Sequence, residues 1–412
     1  MRANLFIVKT LRKGKGGEGR FSRSSAGISG VSIAISMIVI ILAVAILDGF
    51  KKEIRSKASG LSGEIILHGP GVDMTTSLYP VDADYKYLND ISDIDGVNAL
   101  YPFAYRSGVL KNQDEIQGVM VKGVGEDFDW SFFDSVMKEG TTSRIYADTT
   151  GVPGMIMSNR LARMLGYSVG DPVVIYFIDN SIKVRRFVLV GIYDAQLENV
   201  DKSLVLTDIS VIRQLNGWSE SEASGIEVRL SQGEETGAVV AKIEDIIENS
   251  TEDTMFVTRV DELFPHLFEW LNLLDFNVLF FLILMMVVAG FNMISGLLIL
   301  LFEKISMIGL LKALGMRDSD IHKIFIIRSM RIILVGMVAG NIIAFILIFI
   351  QTKFNVIQLD VSNYFVDSVP MHIKWLKMGI LNIGAIAVIL LLLMIPSSFI
   401  SRVHPSKNLS VK

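Results

Sequence analysis

Histidine, serine and carboxylate side chains are present in this sequence, but their spacing matches no catalytic motif. The five histidines lie at positions 68, 266, 322, 372 and 404, without an i, i+4 partner or carboxylates at metal-ligand spacing. Ser158 stands between Met157 and Asn159 and not in the G-x-S-x-G turn of a serine hydrolase. The sequence therefore predicts no metal site and no enzymatic activity.

The glycine-rich segment from Gly14 to Arg20 resembles a phosphate-binding loop only in composition. It lacks the GxxxxGK[ST] spacing and follows no strand, so the favoured interpretation is a flexible basic tail near anionic lipid. The chain contains no cysteine, which excludes disulfides and thiolate metal ligands. Its formal net charge of −4 predicts no nucleic-acid partner.

The chain contains four long apolar stretches without charged residues. Each is long enough, at about 1.5 Å rise per residue, to cross a hydrocarbon core of roughly 30 Å. The sequence therefore predicts an integral membrane α-helical protein with four transmembrane helices. The stretches are Ile28–Leu47, Val278–Phe302, Ile332–Ile350 and Met378–Ile395.

Cations beside the first stretch set the predicted orientation. The first 25 residues contain seven Lys or Arg against a single Glu18, which predicts a cytoplasmic N-terminus. Four crossings return the C-terminus to the cytoplasm, where Arg402, Lys407 and Lys412 fit this assignment. A cleaved signal peptide is the rival interpretation. However, the apolar run has about 20 residues instead of roughly 7–15, and no small-residue cleavage site follows, which favours a retained anchor.

The region between the first two stretches predicts a mixed α/β domain outside the cytoplasm. The clearest hairpin joins Pro172–Ile178 to Ile182–Ile192 through a turn at residues 179–181. A short strand at residues 155–157 leads into a helix from Asn159 to Leu165, which Gly166 ends. Further strands are predicted at 63–68, 97–110, 115–124, 225–230 and 255–260, and helices at 82–91 and 234–248.

The segment after the second stretch predicts a short amphipathic helix on the cytoplasmic face. Ile305, Ile308 and Leu311 or Lys312 share one face at helical spacing, and Gly315 ends the helix. Asp318 or Ser319 is the expected N-cap of the next helix. From these residues alone, a helix that floats at the lipid headgroups and a helix that docks a partner are equally favoured.

Polar and small residues inside the stretches predict helix packing. For Asn292 and Asn341, interhelical hydrogen bonds are favoured over a role in a transport pathway. Gly336-x-x-x-Gly340 allows close approach of another helix, and packing inside the subunit is favoured over dimerisation.

The segment from Gly290 to Gly315 resembles the permeases of the lipoprotein-releasing (Lol) systems, the LolC/LolE family, and their relatives of the MacB/FtsX type. In those families a G-F-N triplet precedes the pattern E-K-x-x-x-I-G-x-L-K-A-x-G. The residues here are Gly290-Phe291-Asn292, then Glu303, Lys304, Ile308, Gly309, Leu311, Lys312, Ala313 and Gly315. Residues 161–171 and 187–192 resemble the same permeases. Pro396 and Pro405 keep the spacing of the family's P-x8-P ending, whose basic and alanine residues are mostly replaced here.

The resemblance implies a bacterial inner-membrane permease, multi-pass, with a large two-lobed α/β periplasmic domain inserted between helices 1 and 2. The expected order is a basic cytoplasmic N-terminus (1–27), helix 1 (28–50), the periplasmic domain (51–270), helix 2 (271–302), a cytoplasmic coupling helix and loop (303–320), helix 3 (321–351), a periplasmic loop (352–376), helix 4 (377–400) and a cytoplasmic tail (401–412).

The resemblance also implies partners. A separate cytoplasmic ABC ATPase dimer, which carries ATP and Mg, would dock on Glu303, Lys304, Ile305, Ile308, Gly309, Leu311, Lys312 and Gly315. The chain itself would bind no cofactor. A second permease, identical or different, would complete a cavity for triacylated lipoprotein, which then passes to a periplasmic carrier.

The lipoprotein cavity implied by the resemblance would be lined by helix 1 and the start of helix 2. Apolar Ile40, Val44, Phe50 and Phe280 would contact acyl chains, and polar Asp48, Asp275 and Asn277 would lie at the outer headgroup level of membrane lipid. The competing interpretation is that these side chains pack against a neighbouring helix.

Three other classes of membrane protein resemble this sequence less. An FtsX-like regulator of a cell-wall hydrolase is expected to have an outer domain much smaller than residues 51–270. A MacB-like efflux component is expected to carry a fused ATPase, and a membrane-anchored sensor is expected to carry a cytoplasmic output domain. The sequence predicts neither a fused ATPase nor a cytoplasmic output domain.

Overall fold

The computed structural model describes residues 18–70, 79–112, 115–146, 151–178, 181–231, 234–303 and 305–397. The chain forms two compact units. The helical unit comprises Met1–Lys52, Trp270–Gln358 and Ser368–Lys412, and the sheet unit comprises Glu53–Glu269 and Leu359–Asp367.

The helices in chain order are α1 Glu18–Ser62, α2 Tyr87–Ser92, α3 Ser131–Ser135, α4 Asn159–Leu165, α5 Glu198–Asp201, α6 Ile209–Asn216, α7 Thr236–Glu248, α8 Val260–Leu263, α9 Pro265–Glu303, α10 Ile305–Ala313, α11 Asp318–Phe354, α12 Val361–Tyr364 and α13 Trp375–Ser397. The strands are β1 Ile65–His68, β2 Val81–Asp82, β3 Val97–Asn112, β4 Glu115–Val124, β5 Met137–Gly140, β6 Gly154–Ser158, β7 Pro172–Ile178, β8 Ile182–Tyr193, β9 Leu204–Asp208, β10 Glu222–Ala223, β11 Gly225–Leu230 and β12 Phe256–Arg259.

Long apolar helices form the helical unit. Within the described ranges, four helical segments are long and apolar enough to cross a membrane, and each predicted apolar stretch falls within one of the helices α1, α9, α11 and α13. This matches the predicted membrane protein. The segments are Gly27–Ser62, Pro265–Gly296, Ser329–Phe354 and Trp375–Leu392.

The sheet unit is built on one large mixed sheet. Its strand order is β12-β1-β11-β3-β4-β9-β6-β8-β5, and β7 pairs with both β3 and β8. Most neighbours are antiparallel, whereas β4 pairs with β9 and β6 pairs with β8 in parallel. Separate hydrophobic clusters form where α4 and α6 cover one part of the sheet and where α2 and α7 cover another.

Local signals in the sequence found several of these elements. Helix α4 begins after Ser158, whose Oγ accepts a hydrogen bond from the Leu161 amide at 3.0 Å, and it ends at Gly166 with φ of 68°. The hairpin of β7 and β8 is confirmed, in register from Pro172 to Ile178, although residues 179 and 180 of its turn lie outside the described residues. The helix expected at 82–91 begins only at Tyr87, because Val81 and Asp82 pair with β10.

A buried ionic cluster caps the C-terminal end of α1. The Lys122 ammonium is fully buried, pairs with the Glu227 carboxylate and donates a hydrogen bond to the Leu61 carbonyl at 2.6 Å. The Arg229 guanidinium donates to the carbonyls of Ser59 and Gly60. Cations at this end satisfy carbonyls that have no partner inside the helix and interact favourably with its dipole. The cluster therefore joins β4 and β11 to the end of α1.

Replacing Glu227 with Gln is expected to destabilise the sheet unit by about 3–5 kcal/mol, because it leaves the buried Lys122 ammonium without its counter-charge. The thermal unfolding midpoint of the purified full chain measures this loss. Replacing both residues, Lys122→Met with Glu227→Leu, is the control and should cost less than the single change, because the fully buried Lys122 ammonium is removed together with its counter-charge. A single variant as stable as the wild type would contradict the assigned role of the ion pair.

Candidate functional site

Small residues bring α1 and α11 into close contact in the helical unit. A Cβ atom added at Gly336 would lie 2.6 Å from the Gly30 carbonyl oxygen. One added at Gly340 would lie 2.7 Å from the Ala34 carbonyl oxygen. The glycines are needed because the two backbones touch here, and the predicted packing inside the subunit is confirmed.

Amide side chains connect the other helices. The Asn292 amide on α9 donates a hydrogen bond to the Ser32 hydroxyl on α1. On α11 and α13, Asn341 and Asn382 exchange hydrogen bonds of 2.8 and 3.2 Å. The predicted interhelical hydrogen bonds of both asparagines are confirmed. These amide nitrogens find acceptors within the chain, as an apolar environment requires.

Acidic residues expected at the outer headgroup level are paired with lysines of the same unit. The buried Asp48 side chain on α1 accepts a hydrogen bond from Lys377 Nζ on α13 at 2.7 Å. Asp275 on α9 pairs with Lys51 on α1. The two ion pairs therefore tie α1 to α13 and to α9. Asn277, the third polar residue of the expected site, is exposed.

The apolar residues of the expected lipoprotein cavity separate into two groups. Ile40 and Val44 are buried in a core with residues of α11 and α13, and Phe50 packs edge-on against Trp270 at 5.5 Å between ring centroids. These three side chains take the competing arrangement, packing against neighbouring helices, because they lie on the part of α1 that other helices of the unit cover. Phe280 on α9 is exposed.

Helix α9 carries an extensive exposed apolar surface within the described part of the helical unit. Such a surface is stable facing lipid hydrocarbon or another subunit, and exposed apolar area of this extent marks a membrane or interaction surface. We call these side chains the α9 face. They are Leu273, Phe276, Leu279, Phe280, Phe281, Ile283, Leu284, Val287, Val288 and Phe291.

The segment that follows α9 contains a separate short helix, α10, as the sequence predicts. Ile308 is fully buried within the helical unit, whereas Leu310 and Leu314 are 51% and 75% exposed. Ile305 and Lys312 are half-buried. A partner would therefore meet the two exposed leucines first.

Glycine and cap residues set the end of that segment. Gly315 has φ of 85°, which fits its predicted role at the end of the helix. The expected N-cap of α11 is wrong: the cap position is Arg317, without a side-chain hydrogen bond, because the helix already includes Asp318. Lys304 lies outside the described residues, as do the side chains of Glu303 and Leu311 and the backbone of the glycine-rich segment 14–17 and of the tail beyond residue 397. Docking on this segment stays a prediction.

A cavity of about 1040 Å³ lies within the sheet unit. No sequence motif indicated it, since its wall is assembled from eight separate chain segments. The lining residues are Leu61, Ser62, His68, Tyr105, Met120, Leu197, Glu198, Val200, Ser203, Leu204, Phe256, Val257, Thr258, Glu262, Leu263, Phe264, Pro265, His266, Leu267 and Phe365.

Strain and buried charge are concentrated beside this cavity. Gln196 and Phe365 both have φ of 61°, a conformation that costs energy in residues other than glycine. Lys57 Nζ donates to the Gln196 side-chain oxygen at 2.6 Å and to the Phe365 carbonyl at 2.9 Å. Burial, and then the charge of nearby Asp194, raises the pKa of Asp201 to about 6.

Among the residues that the structure describes, no group of three His, Asp or Glu could hold a metal ion.

Comparison with known sequences identifies two domains. A model described as the MacB-like periplasmic core domain matches residues 27–246, and one described as the FtsX-like permease C-terminal matches residues 279–405. The chain is 24% identical to the lipoprotein-releasing system transmembrane protein LolC of Neisseria meningitidis serogroup B, covering 93% of this chain and 90% of that one. It is 24% identical to LolE of Haemophilus influenzae, with coverage of 93% and 94%. It is 22% identical to the macrolide export ATP-binding/permease protein MacB 1/2 of Paracoccus denitrificans, covering 78% of this chain but 48% of that one.

Replacing Gly340 with Ala is expected to lower the thermal stability of the helical unit, because its Cβ would overlap the Ala34 backbone and push α1 and α11 apart. Thermal aggregation of the detergent-solubilised chain measures the change. Gly379→Ala on α13 is the matched control, since nothing lies within 4 Å of a Cβ there. Equal midpoints for the two variants would rule out close packing at Gly340.

Proposed function

Because this chain belongs to the MacB/FtsX permease family, which includes LolC and LolE, we propose that it is the permease subunit of an ABC transporter that extracts lipoproteins from the bacterial inner membrane. The observation that carries the proposal is similarity along nearly the whole length of LolC and LolE, against about half the length of the MacB relative. Family permeases of this type are not themselves catalytic.

The proposed topology places both termini in the cytoplasm and the sheet unit in the periplasm. The cations before α1 support a cytoplasmic N-terminus, and the periplasmic core domain matched over residues 27–246 supports the location of the sheet unit. The proposed domain boundaries are those predicted from the sequence, with the periplasmic domain at 51–270. Separate hydrophobic clusters under α4/α6 and α2/α7 support two lobes within that domain.

The proposed energy source is a separate cytoplasmic ATPase dimer, which binds ATP and Mg and docks on residues 303–315. Leu310 and Leu314 support this docking, since they expose apolar surface next to the half-buried Lys312. The segment connects directly to α9 and α11, so a movement of the ATPase would displace both helices.

Lipoprotein extraction explains why such a transporter needs ATP. Transfer of acyl chains out of a bilayer costs about 0.8 kcal/mol per exposed CH₂, so a triacylated lipoprotein needs an energy source and an apolar enclosure. The α9 face, including Phe280, is the surface proposed to meet the acyl chains and a second permease. The lipoprotein then passes to a periplasmic carrier. Ile40, Val44 and Phe50 would contribute indirectly, by supporting the helices that carry this face.

Release of lipoproteins from spheroplasts tests the function. Cells depleted of this chain and complemented with the wild type are pulse-labelled with palmitate, and labelled lipoprotein is measured in a supernatant that contains periplasmic extract. We expect release with the wild type and none with Leu310→Asp, because a charge in an apolar contact releases the ATPase. Co-purification of the ATPase with the tagged chain is measured in the same cells.

The matched control for this experiment is Leu376→Asp at the start of α13, a leucine that is 80% exposed and far in sequence from α10. It should retain both the ATPase and release. Depletion that leaves lipoprotein release unchanged would exclude the proposed function. Full retention of the ATPase by Leu310→Asp would leave α10 as an interfacial helix.

Cysteine labelling tests the topology, since the native chain contains no cysteine. In intact spheroplasts, an impermeant maleimide is expected to label a cysteine at Ser143, in the exposed part of the sheet unit, and to leave one at Ser24 unlabelled. Labelling both after permeabilisation is the control. Reaction at Ser24 but not at Ser143 would reverse the orientation.

A further inference from the structure

The cavity in the sheet unit is lined mainly by apolar side chains. Twelve of its twenty lining residues are apolar, among them Met120, Val200, Leu204 and Leu263. Sites for small molecules measure roughly 300–1,000 Å³, so a cavity of about 1040 Å³ has room for a long chain.

Polar side chains in the wall have already used hydrogen-bonding capacity within the protein. The two ring nitrogens of His68 contact the Gly69 carbonyl at 2.7 Å and the Thr258 hydroxyl at 2.8 Å. The Ser62 hydroxyl donates to the Ala58 carbonyl at 3.1 Å. A polar ligand would therefore lose its bonds to water here and gain few in return, which favours an apolar occupant.

Carboxylates of the wall are engaged as well. Glu198 accepts hydrogen bonds from Arg160 at 3.0 Å and from Lys202 at 2.7 Å. Glu262 accepts one from the Arg259 amide at 3.3 Å. These partners hold the charged ends in ion pairs and a helix cap, so the carboxylates do not create a cation site in the cavity.

Backbone strain supports a binding role for the same wall. Phe365 lines the cavity, and Gln196 precedes the lining residue Leu197. Both strained residues accept hydrogen bonds from Lys57, which holds two separate chain segments in place. Non-glycine residues in this conformation cluster at ligand clamps, where the surrounding structure maintains them.

An aromatic side chain lies exposed among the lining residues. Phe256 is 54% exposed and stacks on His68 at 6.1 Å between ring centroids. The helices α1 and α9, proposed to carry the membrane cavity, also contribute Leu61 and Pro265 to this one. Both residues add apolar surface to the wall, which again favours an apolar occupant.

We propose that this cavity binds one long acyl chain of the triacylated lipoprotein during its transfer towards the carrier. The assignment rests on the proposed function, and it adds a second apolar site, within the sheet unit, to the one expected among the transmembrane helices. The chain lies against Met120, Val200, Leu204 and Leu263, and Phe365 forms part of the wall held by Lys57.

Photo-crosslinking in the complete transporter tests this site. The complex is reconstituted in nanodiscs with a tripalmitoylated cysteine lipopeptide that carries a diazirine at the end of one acyl chain, and adducts are mapped by mass spectrometry. We expect adducts on peptides that contain Val200 or residues 256–263, at least fivefold above those from a diazirine phospholipid at equal concentration. Equal adducts from the phospholipid would overturn the lipoprotein assignment.

Matched glutamine variants give the second measurement. Val200→Gln places an amide in the cavity and should reduce the adducts on residues 256–263 at least fivefold. Met164→Gln changes a side chain on α4 that is 40% exposed and does not line the cavity, and it should leave the yield unchanged. Equal yields from both variants would overturn the site.

A single cysteine at Val257 gives a readout that does not depend on a disruptive change. The lipopeptide should slow its reaction with maleimide at least threefold and leave a cysteine at exposed Ser143 unaffected. Adducts on transmembrane helices with none in the cavity would overturn this inference and leave the proposed function intact. Absence of adducts anywhere on the chain would count against both.

Discussion

The capped end of α1 is the interaction on which the sheet unit depends. Three consecutive carbonyls, from Ser59 to Leu61, accept hydrogen bonds from Arg229 and Lys122, and Glu227 supplies the compensating charge. Lys122 lies on β4 and Glu227 on β11, on either side of β3, so the cluster fixes three neighbouring strands to one helix end. Burial of these charges is costly alone, and the ion pairs with Glu227 together with the three carbonyl acceptors offset much of that cost.

The helical unit meets the same constraint by pairing its polar groups inside the chain. Asn341 bonds to Asn382, Asp48 to Lys377 and Asp275 to Lys51, so three pairs connect four helices. Between Val278 and Phe291, the side chains that α9 leaves exposed are all apolar. Such a surface is stable against lipid hydrocarbon or against another subunit.

The residues expected to line the lipoprotein cavity differ in burial, although the sequence does not distinguish them. Ile40 and Val44 lie in the core and Phe280 lies on the surface, although all three belong to uncharged apolar stretches. A helix that is apolar all round has no periodicity that separates its buried face from its lipid-facing face. The same holds for Ile308, which was expected at the docking surface and is buried, whereas Leu310 and Leu314 are exposed.

The sequence by itself determined the apolar helices, the ends of α4 and α10 at Gly166 and Gly315, and the hairpin of β7 and β8, because hydrophobic run length, glycine caps and strand pairing across a turn are local signals. Only the tertiary structure decided the capping cluster, the faces of the membrane helices and the cavity of the sheet unit. Lys122 and Glu227 are 105 residues apart, and Lys57 and Phe365 are 308 apart. Contacts over such separations depend on the packing of whole elements, and no local pattern of residues encodes them.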